Sequence, residues 1–316
     1  MEHTQNQLEA ALLSERHSDG APRTLRIGVT IPPTETNLIG RIHDLAQLAE
    51  GLGFADLWVQ DHTVFPIALP DALVTASVAL AATTTIGVAF GVVQLGMRHP
   101  VSFAHSIATL AAEGGDRILL GVGIGGDHQI EWDALGIPVR ERVPRFDESL
   151  PLLSDLIEGR ACAHAGVHYS FDVPALKPAP STHVPLWMGA RCASVVRRLA
   201  YIDGWLGLYR RPDDFAQDVH LLTETAEGLG RPVPEAGMSM LVGVVGTEEQ
   251  ARLTAATALL EAYGTPVERG AKVVTAGADN VRAQVDRYVQ AGASRIVLST
   301  MEDPETAWPV LAAALL

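Results

Sequence analysis

The chain has little cysteine, little positive charge and no long unbroken apolar run. Two cysteines, Cys162 and Cys192, among 316 residues cannot form a disulfide framework. So few point to a reducing cytoplasm as the compartment. No apolar run is long enough to span a bilayer. Residues 1–23 hold only Leu8, Leu12 and Leu13 as apolar anchors. They lack the continuous apolar core of a signal peptide and read as a mobile N-terminal arm. Lys and Arg number 23 against 37 Asp and Glu, a net charge of −14. That balance argues against a nucleic-acid backbone or an anionic membrane surface as partner. A small anionic ligand stays possible where positive charge is local. No H-E-x-x-H, cysteine cluster or carboxylate spacing points to a metal, and no G-x-S-x-G elbow is present.

What the chain does have is 47% hydrophobic residues, 29 Gly and 19 Pro, arranged in a steady alternation. Apolar strand-like runs occur at Leu25–Ile31, Ala55–Gln60, Ile86–Val93, Ile118–Val122, Pro185–Met188, Trp205–Tyr209, Ser239–Val245 and Arg295–Ser299. Between them apolar residues recur every three to four positions, as in Leu38, Ile42, Leu45, Ala49 and Leu52, the period of a helix. Helices are predicted over about Asp71–Ala82, from Arg98-His99-Pro100 to Ala112, around Phe146–Ile157, Val195–Ile202, Phe215–Leu229, Thr247–Leu260 and Val281–Val289, with a last one at the C-terminus. Glu248 and Glu249 suit the first turn of theirs. Glycine or small-residue exits precede several strands, at Gly51–Gly53, Gly114-Gly115, Asp203-Gly204 and Gly292-Ala293. Strands that are apolar without alternation are covered on both faces. Eight of them, each followed by a helix, predict a single (β/α)8 barrel, an α/β fold, over residues 24–316. A doubly wound sheet is the alternative. Two stretches, Gly159–Thr182 and Tyr263–Ala276, read as irregular excursions that cross the mouth and shape a substrate pocket.

In such a barrel the chemistry gathers at the C-terminal strand ends. Those ends are Asp61-His62, Val92-Val93-Gln94, Gly123 to His128, Gly189-Ala190-Arg191, Tyr209 and Ser299-Thr300. His62 is the acid/base candidate, since histidine titrates near neutrality. Asp61 beside it reads as an orienting group, and holding the loop is the plainer role open to His62. Glu131 reads as a partner of Arg140 or Arg145, with acid/base work as its alternative. His99, before a proline at a helix start, reads as structural. Gly123, Gly125 and Gly126 have the wrong spacing for a dinucleotide fingerprint. They instead allow a flat ring to lie close to the strand ends, and Gly87 and Gly91 allow a bulge. Gly189-Ala190-Arg191 at a helix start reads either as a tight turn or as an anion seat. Cys192 there could have a lowered pKa but reads as a small filler.

Several blocks together resemble the luciferase-like monooxygenase family, in its branch of flavin- and deazaflavin-dependent oxidoreductases. They are LWVQDH (57–62), GVVQLGMRHP (91–100), AAEGGDRILLGVGIGG (111–126), EWDALGIPVRERVPRFDE (131–148) and PLWMGARCASVVRRLAYIDGW (185–205). The resemblance runs from Leu25 to the end. It implies a barrel with a flavin or deazaflavin in its mouth and a bulge near Val92-Val93 that braces the ring. It also places the cofactor phosphate at Gly189, Ala190, Arg191 and Ser194. The last block is similar to a form common in members that use coenzyme F420, whose anionic tail Arg98 and Arg191 suit. It departs at Ala190 and Cys192, where that form has Gly and Ser; the lost hydroxyl removes one possible phosphate hydrogen bond. The cofactor implied is coenzyme F420, with FMN as the alternative. Its contacts are expected at Asp61, Val92, Val93, Arg98, Gly123, Gly189, Ala190, Arg191 and Ser194.

The function expected is hydride transfer between that cofactor and a small organic substrate, with His62 as proton donor or acceptor. An FMN-dependent monooxygenase, a cofactor-binding barrel without turnover, and a barrel enzyme acting on a phosphorylated sugar or acid are the alternatives. The partners expected are small molecules, with a homodimer as the assembly to test.

Overall fold

The computed structural model describes residues 24–33, 38–126, 128–180 and 182–316. The arm read over residues 1–23 lies outside them. The apolar runs become β1 (Arg26–Thr30), β2 (Asp56–Val59), β3 (Gly87–Phe90) with β4 (Val93–Gln94) just beyond it, and β5 (Ile118–Gly123). A pair, β6 (Cys162–Ala165) and β7 (Ser170–Val173), comes next. Then follow β8 (Leu186–Gly189), β9 (Gly204–Leu208), β10 (Glu235–Gly243), β11 (Val274–Ala276) and β12 (Arg295–Thr300). Eight of these pair in parallel in the order β1, β2, β3, β5, β8, β9, β10 and β12, and β12 returns to β1. The sheet is a closed eight-stranded barrel with helices around it.

The strands look uniformly apolar because both faces are buried, but the two faces do different things. Along β2, Leu57 and Val59 point outward into the large core shared with the helices, while Trp58 points into the lumen. The lumen layer is Trp58, Ala89, Leu119, Trp187, Leu206 and Val297. Trp58 and Trp187 meet edge to face with centroids 6.4 Å apart. Two indoles fit only because glycine faces them. A Cβ on Gly28 would stand 2.7 Å from Trp58 Nε1, and one on Gly237 2.7 Å from Trp187 Cζ3. Below this layer, at the first residues of three strands, Asp56 pairs with Arg295 and with Arg26, the latter at 3.0 Å. Arg295 also lies 5.2 Å over the Trp187 ring. The N-terminal end of the barrel is thereby plugged.

The bulge read near Val92-Val93 is a register fact. Val88 faces Ile118 and Val93 faces Val122, so β3 and β4 use five residues where β5 uses four. The extra residue falls at Gly91-Val92, whose peptide bond is cis.

Three expectations need correction. The stretch 159–182 contains an antiparallel hairpin, β6 with β7. It is clamped to the helix Arg142–Ile157 by Glu148, which accepts from His164 Nε2, His168 N and Tyr169 N. That keeps it at the side of the barrel. The second excursion begins earlier than Tyr263. The helix Glu248–Tyr263 is itself part of it and packs on β10 and β11 through Ala251, Ala255 and Leu259. The outer layer of helices is continued instead by Ala278–Gln290, which touches the helices Pro212–Gly228 and Pro304–Leu315. Finally, the helix after β8 is only Cys192–Val196, followed by a single 3-10 turn at Leu199–Tyr201. The link to Gly204 barely reaches the dozen or so residues that a parallel crossover needs.

Candidate active site

Inward positions repeat every second residue, so β2 aims Trp58, Gln60 and His62 at the axis in successive layers. His62 therefore stands at the C-terminal rim, on the edge of a cavity of about 400 Å³. The opposite walls are mostly glycine, Gly123, Gly125, Gly126 and Gly189, with Ile124 among them, and the rim is closed by Leu208, Tyr209, Leu259 and Tyr263. Val92, carried inward by the bulge, forms the flat wall between. A Cβ on Gly123 or on Gly189 would come within 2.6 Å of its methyls, so both positions must be bare.

The rim holds a hydrogen-bonded network. Arg98 forks onto Asp61, with Nη2 to Oδ1 at 2.6 Å and Nε to Oδ2 at 3.3 Å. Burial works against the Arg98 charge, yet Asp61 raises its pKa further. The neutralised Asp61 also accepts the Gln94 backbone N–H at 3.1 Å. The Gln94 amide nitrogen lies 3.1 Å from each of three groups: the Asp61 carbonyl, Glu131 Oε1 and His62 Nδ1. Glu131 is fully buried. It accepts from Thr63 N at 2.6 Å, and its Oε2 lies 3.2 Å from His62 Nδ1. Burial by itself would raise the Glu131 pKa. The bonds from His62, Gln94 and Thr63 outweigh it and hold the carboxylate ionised, below its usual range.

This network assigns a tautomer. The Gln94 amide has two hydrogens and faces two oxygens that can only accept. It serves those, and His62 Nδ1–H then donates to Glu131. Nε2 is left with no partner among the described residues. Phe65 stacks on one face of the imidazole at 4.2 Å, and Tyr263 meets it edge-on at 6.4 Å. Burial, then the nearby Tyr209 and Glu131, push the Tyr263 phenol up to about 12.

A second cavity, of about 640 Å³, shares the walls Val92, Gly189, Ala190 and Tyr209 and runs on to Arg191 and Arg210. Arg210 is paired with Asp218 at 2.7 Å. Tyr209, where the two cavities meet, has φ 53, left-handed for a non-glycine residue.

The residues expected from the sequence thus divide. Asp61, His62, Val92, Gly123, Gly189 and Ala190 line the first cavity, and Arg191 lines the second. Val93 is buried in the outer core. Arg98 braces Asp61 instead of facing either cavity. The Ser194 hydroxyl is taken by Arg198 at 2.6 Å, and Arg198 in turn pairs with Asp147. Glu131 does not pair with Arg140 or Arg145; Arg145 bonds Glu141, and Glu131 belongs to His62. Cys192 is buried, and burial together with Asp218 pushes its thiol up to about 12, opposite to the lowering a helix start would give. The two excursions differ: none of the described residues of 159–182 lines the cavity, whereas Tyr263 does. Gln94 and Glu131 carry the network; the strand-end position gave a signal for Gln94, and acid/base work was open to Glu131 only as the alternative to pairing with Arg140 or Arg145.

The family model described as luciferase-like monooxygenase matches residues 25–303. The F420-dependent hydroxymycolic acid dehydrogenase of Mycobacterium tuberculosis is 28% identical over 225 residues, 65% of this chain and 59% of that protein. Among solved structures, an F420-dependent secondary alcohol dehydrogenase in complex with an F420–acetone adduct superposes with TM-score 0.79. It is 19% identical and covers 92% of this chain and 97% of its own. The monooxygenase RslO1 from Streptomyces bottropensis also gives TM-score 0.79, at 20% identity, over 92% of this chain and 98% of its own.

Proposed function

We propose, because the chain belongs to the luciferase-like monooxygenase family, that this oxidoreductase uses coenzyme F420 and transfers hydride to or from a small organic substrate. The observation that carries the reading is the His62–Glu131 pair at the cavity edge, with Nε2 left free. Similarity to an F420-dependent dehydrogenase favours the deazaflavin over FMN.

The residues present suit a long molecule with a flat ring and an anionic tail. The ring would lie against Val92 and the bare Gly123 and Gly189, and the tail would run past Ala190 toward Arg191 in the second cavity. When bound, the coenzyme supplies or accepts the hydride equivalent. The chain's own part is orientation and proton management. Val92 sets the plane of the site. Leu259 and Tyr263 keep water from the rim above His62. His62 Nε2 takes the proton of a substrate hydroxyl, or returns it to a carbonyl oxygen in the reverse direction. Glu131 stabilises the imidazolium so formed, as a buried carboxylate does for an oriented histidine. Gln94 and the Arg98–Asp61 fork hold both in place.

Titration of the full chain with coenzyme F420 and with FMN, followed by fluorescence, tests the assignment. The reading requires tighter binding of F420, and oxidation of an alcohol without oxygen uptake. Tighter FMN binding together with oxygen consumption would turn the protein into a flavin monooxygenase.

A further inference from the structure

The two cavities differ in charge, and the difference bears on the substrate. No lysine or arginine lines the first cavity among the described residues. Asp61, the one carboxylate among its lining residues, is already matched by Arg98, and Glu131, behind the wall, is matched by His62, Gln94 and Thr63. What remains on the rim side is Leu208, Leu241, Leu259, Met301 and the Tyr263 ring. The polar side chains that reach the floor are uncharged. Thr30 and Ser299 bond each other at 3.0 Å. Two arginines, Arg191 and the Asp218-paired Arg210, lie in the second cavity, beyond the Gly189–Ala190 wall.

The chain organises this side deliberately. The helix Glu248–Tyr263 is an addition to the barrel. Its capping box at Thr247 fixes its start, and Gly264 in the left-handed region ends it at the rim. Leu259 and Tyr263, four residues apart, share one face of a helix and both line the cavity. The ionised Glu131 behind His62 would repel a bound anion. A carboxylate or phosphate placed beside His62 would be desolvated with no lysine or arginine among the lining residues to meet it, a cost of several kcal/mol.

We infer that the substrate is an uncharged alcohol or carbonyl compound with an apolar body. Its oxygen bonds His62 Nε2, and its hydrocarbon part packs under Leu259 and Tyr263, which select it. The inference rests on the assignment of a cofactor to the Val92 wall, and it adds the class of the second reactant. Phosphorylated sugars and carboxylic acids are excluded from the reacting position, although an anionic tail is accepted in the neighbouring cavity.

A matched pair of probes tests this on the unaltered chain: 1-phenylethanol, and the same alcohol carrying a para-carboxylate. Their binding is measured by calorimetry with and without saturating coenzyme F420. The neutral probe is expected to bind at least about tenfold more tightly, as unmatched burial of one charge requires. Equal or tighter binding of the carboxylate overturns the inference. A variant gives the converse test. Tyr263→Arg places a cation at the rim, where the side chain is half-exposed and can reach water, and should narrow or invert the preference. Tyr263→Ala should weaken the neutral probe several-fold and leave F420 affinity unchanged. A folded Tyr263→Arg chain with the original preference would remove Tyr263 from substrate selection. The F420 titration separates the two levels. If F420 binds and the probes fail to discriminate, the substrate class is wrong and the cofactor reading stands; if F420 does not bind, the cofactor reading itself falls.

Discussion

Strand β2 has an aspartate at its start, Asp56, and another just beyond its end, Asp61, and each meets an arginine. The lower pair is closed. Its arginines, Arg295 and Arg26, come from the first residues of neighbouring strands, and Trp187 seals it from above. The upper pair is open-ended. Arg98 comes from the link that follows the bulge, and Asp61 passes its remaining capacity to Gln94, which serves Glu131 and so His62. The same two residue types do opposite jobs on one strand. What decides between them is whether the leftover hydrogen-bonding groups face packed tryptophan or a cavity. The barrel as a class divides in this way, stability at the N-terminal face and chemistry at the C-terminal face.

The sharpest way to break the contrast is to remove each aspartate. Asp56→Ala leaves Arg295 buried without its partner and should cost about 3–5 kcal/mol of stability. A urea melt would show the loss, while the folded fraction keeps its F420 affinity. Asp61→Ala should cost less stability, because Arg98 is partly open to water, and should cost more function. Equal destabilisation by the two would mean that the upper pair is structural as well.

His62→Ala comes next. Turnover should fall by roughly 10²–10⁴-fold with the urea midpoint little changed, since the imidazole sits at the rim. Glu131→Gln should lower turnover less, because Nδ1 keeps an oxygen acceptor and loses only its charge. A His62→Ala chain with full turnover would move the proton to solvent or to another group.

Glycines give a smaller, paired test. Gly237→Ala drives a methyl into the fixed Trp187 ring at 2.7 Å and should cost about 1–3 kcal/mol of stability, with ligand binding kept. Gly189→Ala presses on a Val92 methyl at 2.6 Å. Val92 borders open space and can yield into the cavity, so the loss should appear in cofactor affinity instead. Matching effects from the two substitutions would erase the distinction between lumen and mouth.

The barrel was legible because its signal is periodic. Eight doubly buried strands and their helices each repeat within a short window, and strand ends then pick out His62, Gly123 and Gly189 with no further information. The bulge could be named from Gly91 and the resemblance, but its register needed β5 alongside. What stayed hidden depends on distant partners. Glu131 is 69 positions from His62, and local sequence offered Arg140 and Arg145 instead. Arg98 looked like a free cation because its acceptor lies 37 residues away. The helix Glu248–Tyr263 has almost no amphipathic pattern to orient it, and whether it packs outside the ring or over the mouth is set by β11, a strand too short to stand out.

The smallest effect concerns pH at the lower end. Glu50, from the helix Leu38–Gly51, reaches the turn before β3. Its Oε1 accepts from Thr84 N at 2.8 Å, Thr85 N at 2.6 Å, Thr85 Oγ1 at 2.9 Å and Ile86 N at 3.1 Å. The bond from Thr85 N is the largest cause, and together these bonds lower its pKa from 4.5 to about 2. A lowered pKa means that the folded chain prefers the ionised form. The stabilisation is therefore complete above about pH 4.5 and is lost as pH falls toward 2. The group is only partly buried, so screening reduces its worth to about 0.5–1 kcal/mol. Glu131 and Glu148 are lowered as well, so the native acid profile alone cannot isolate Glu50. The difference between native chain and Glu50→Gln can, because Gln keeps the acceptor oxygen and removes the charge. That difference in unfolding free energy should be near its full size at neutral pH and shrink toward zero in acid. F420 affinity at neutral pH should be the same in both, since Glu50 lies at the closed end of the barrel. A constant difference across pH would mean that the oxygen, and not the charge, holds the turn. A loss of F420 affinity would mean that the two ends of the barrel are coupled.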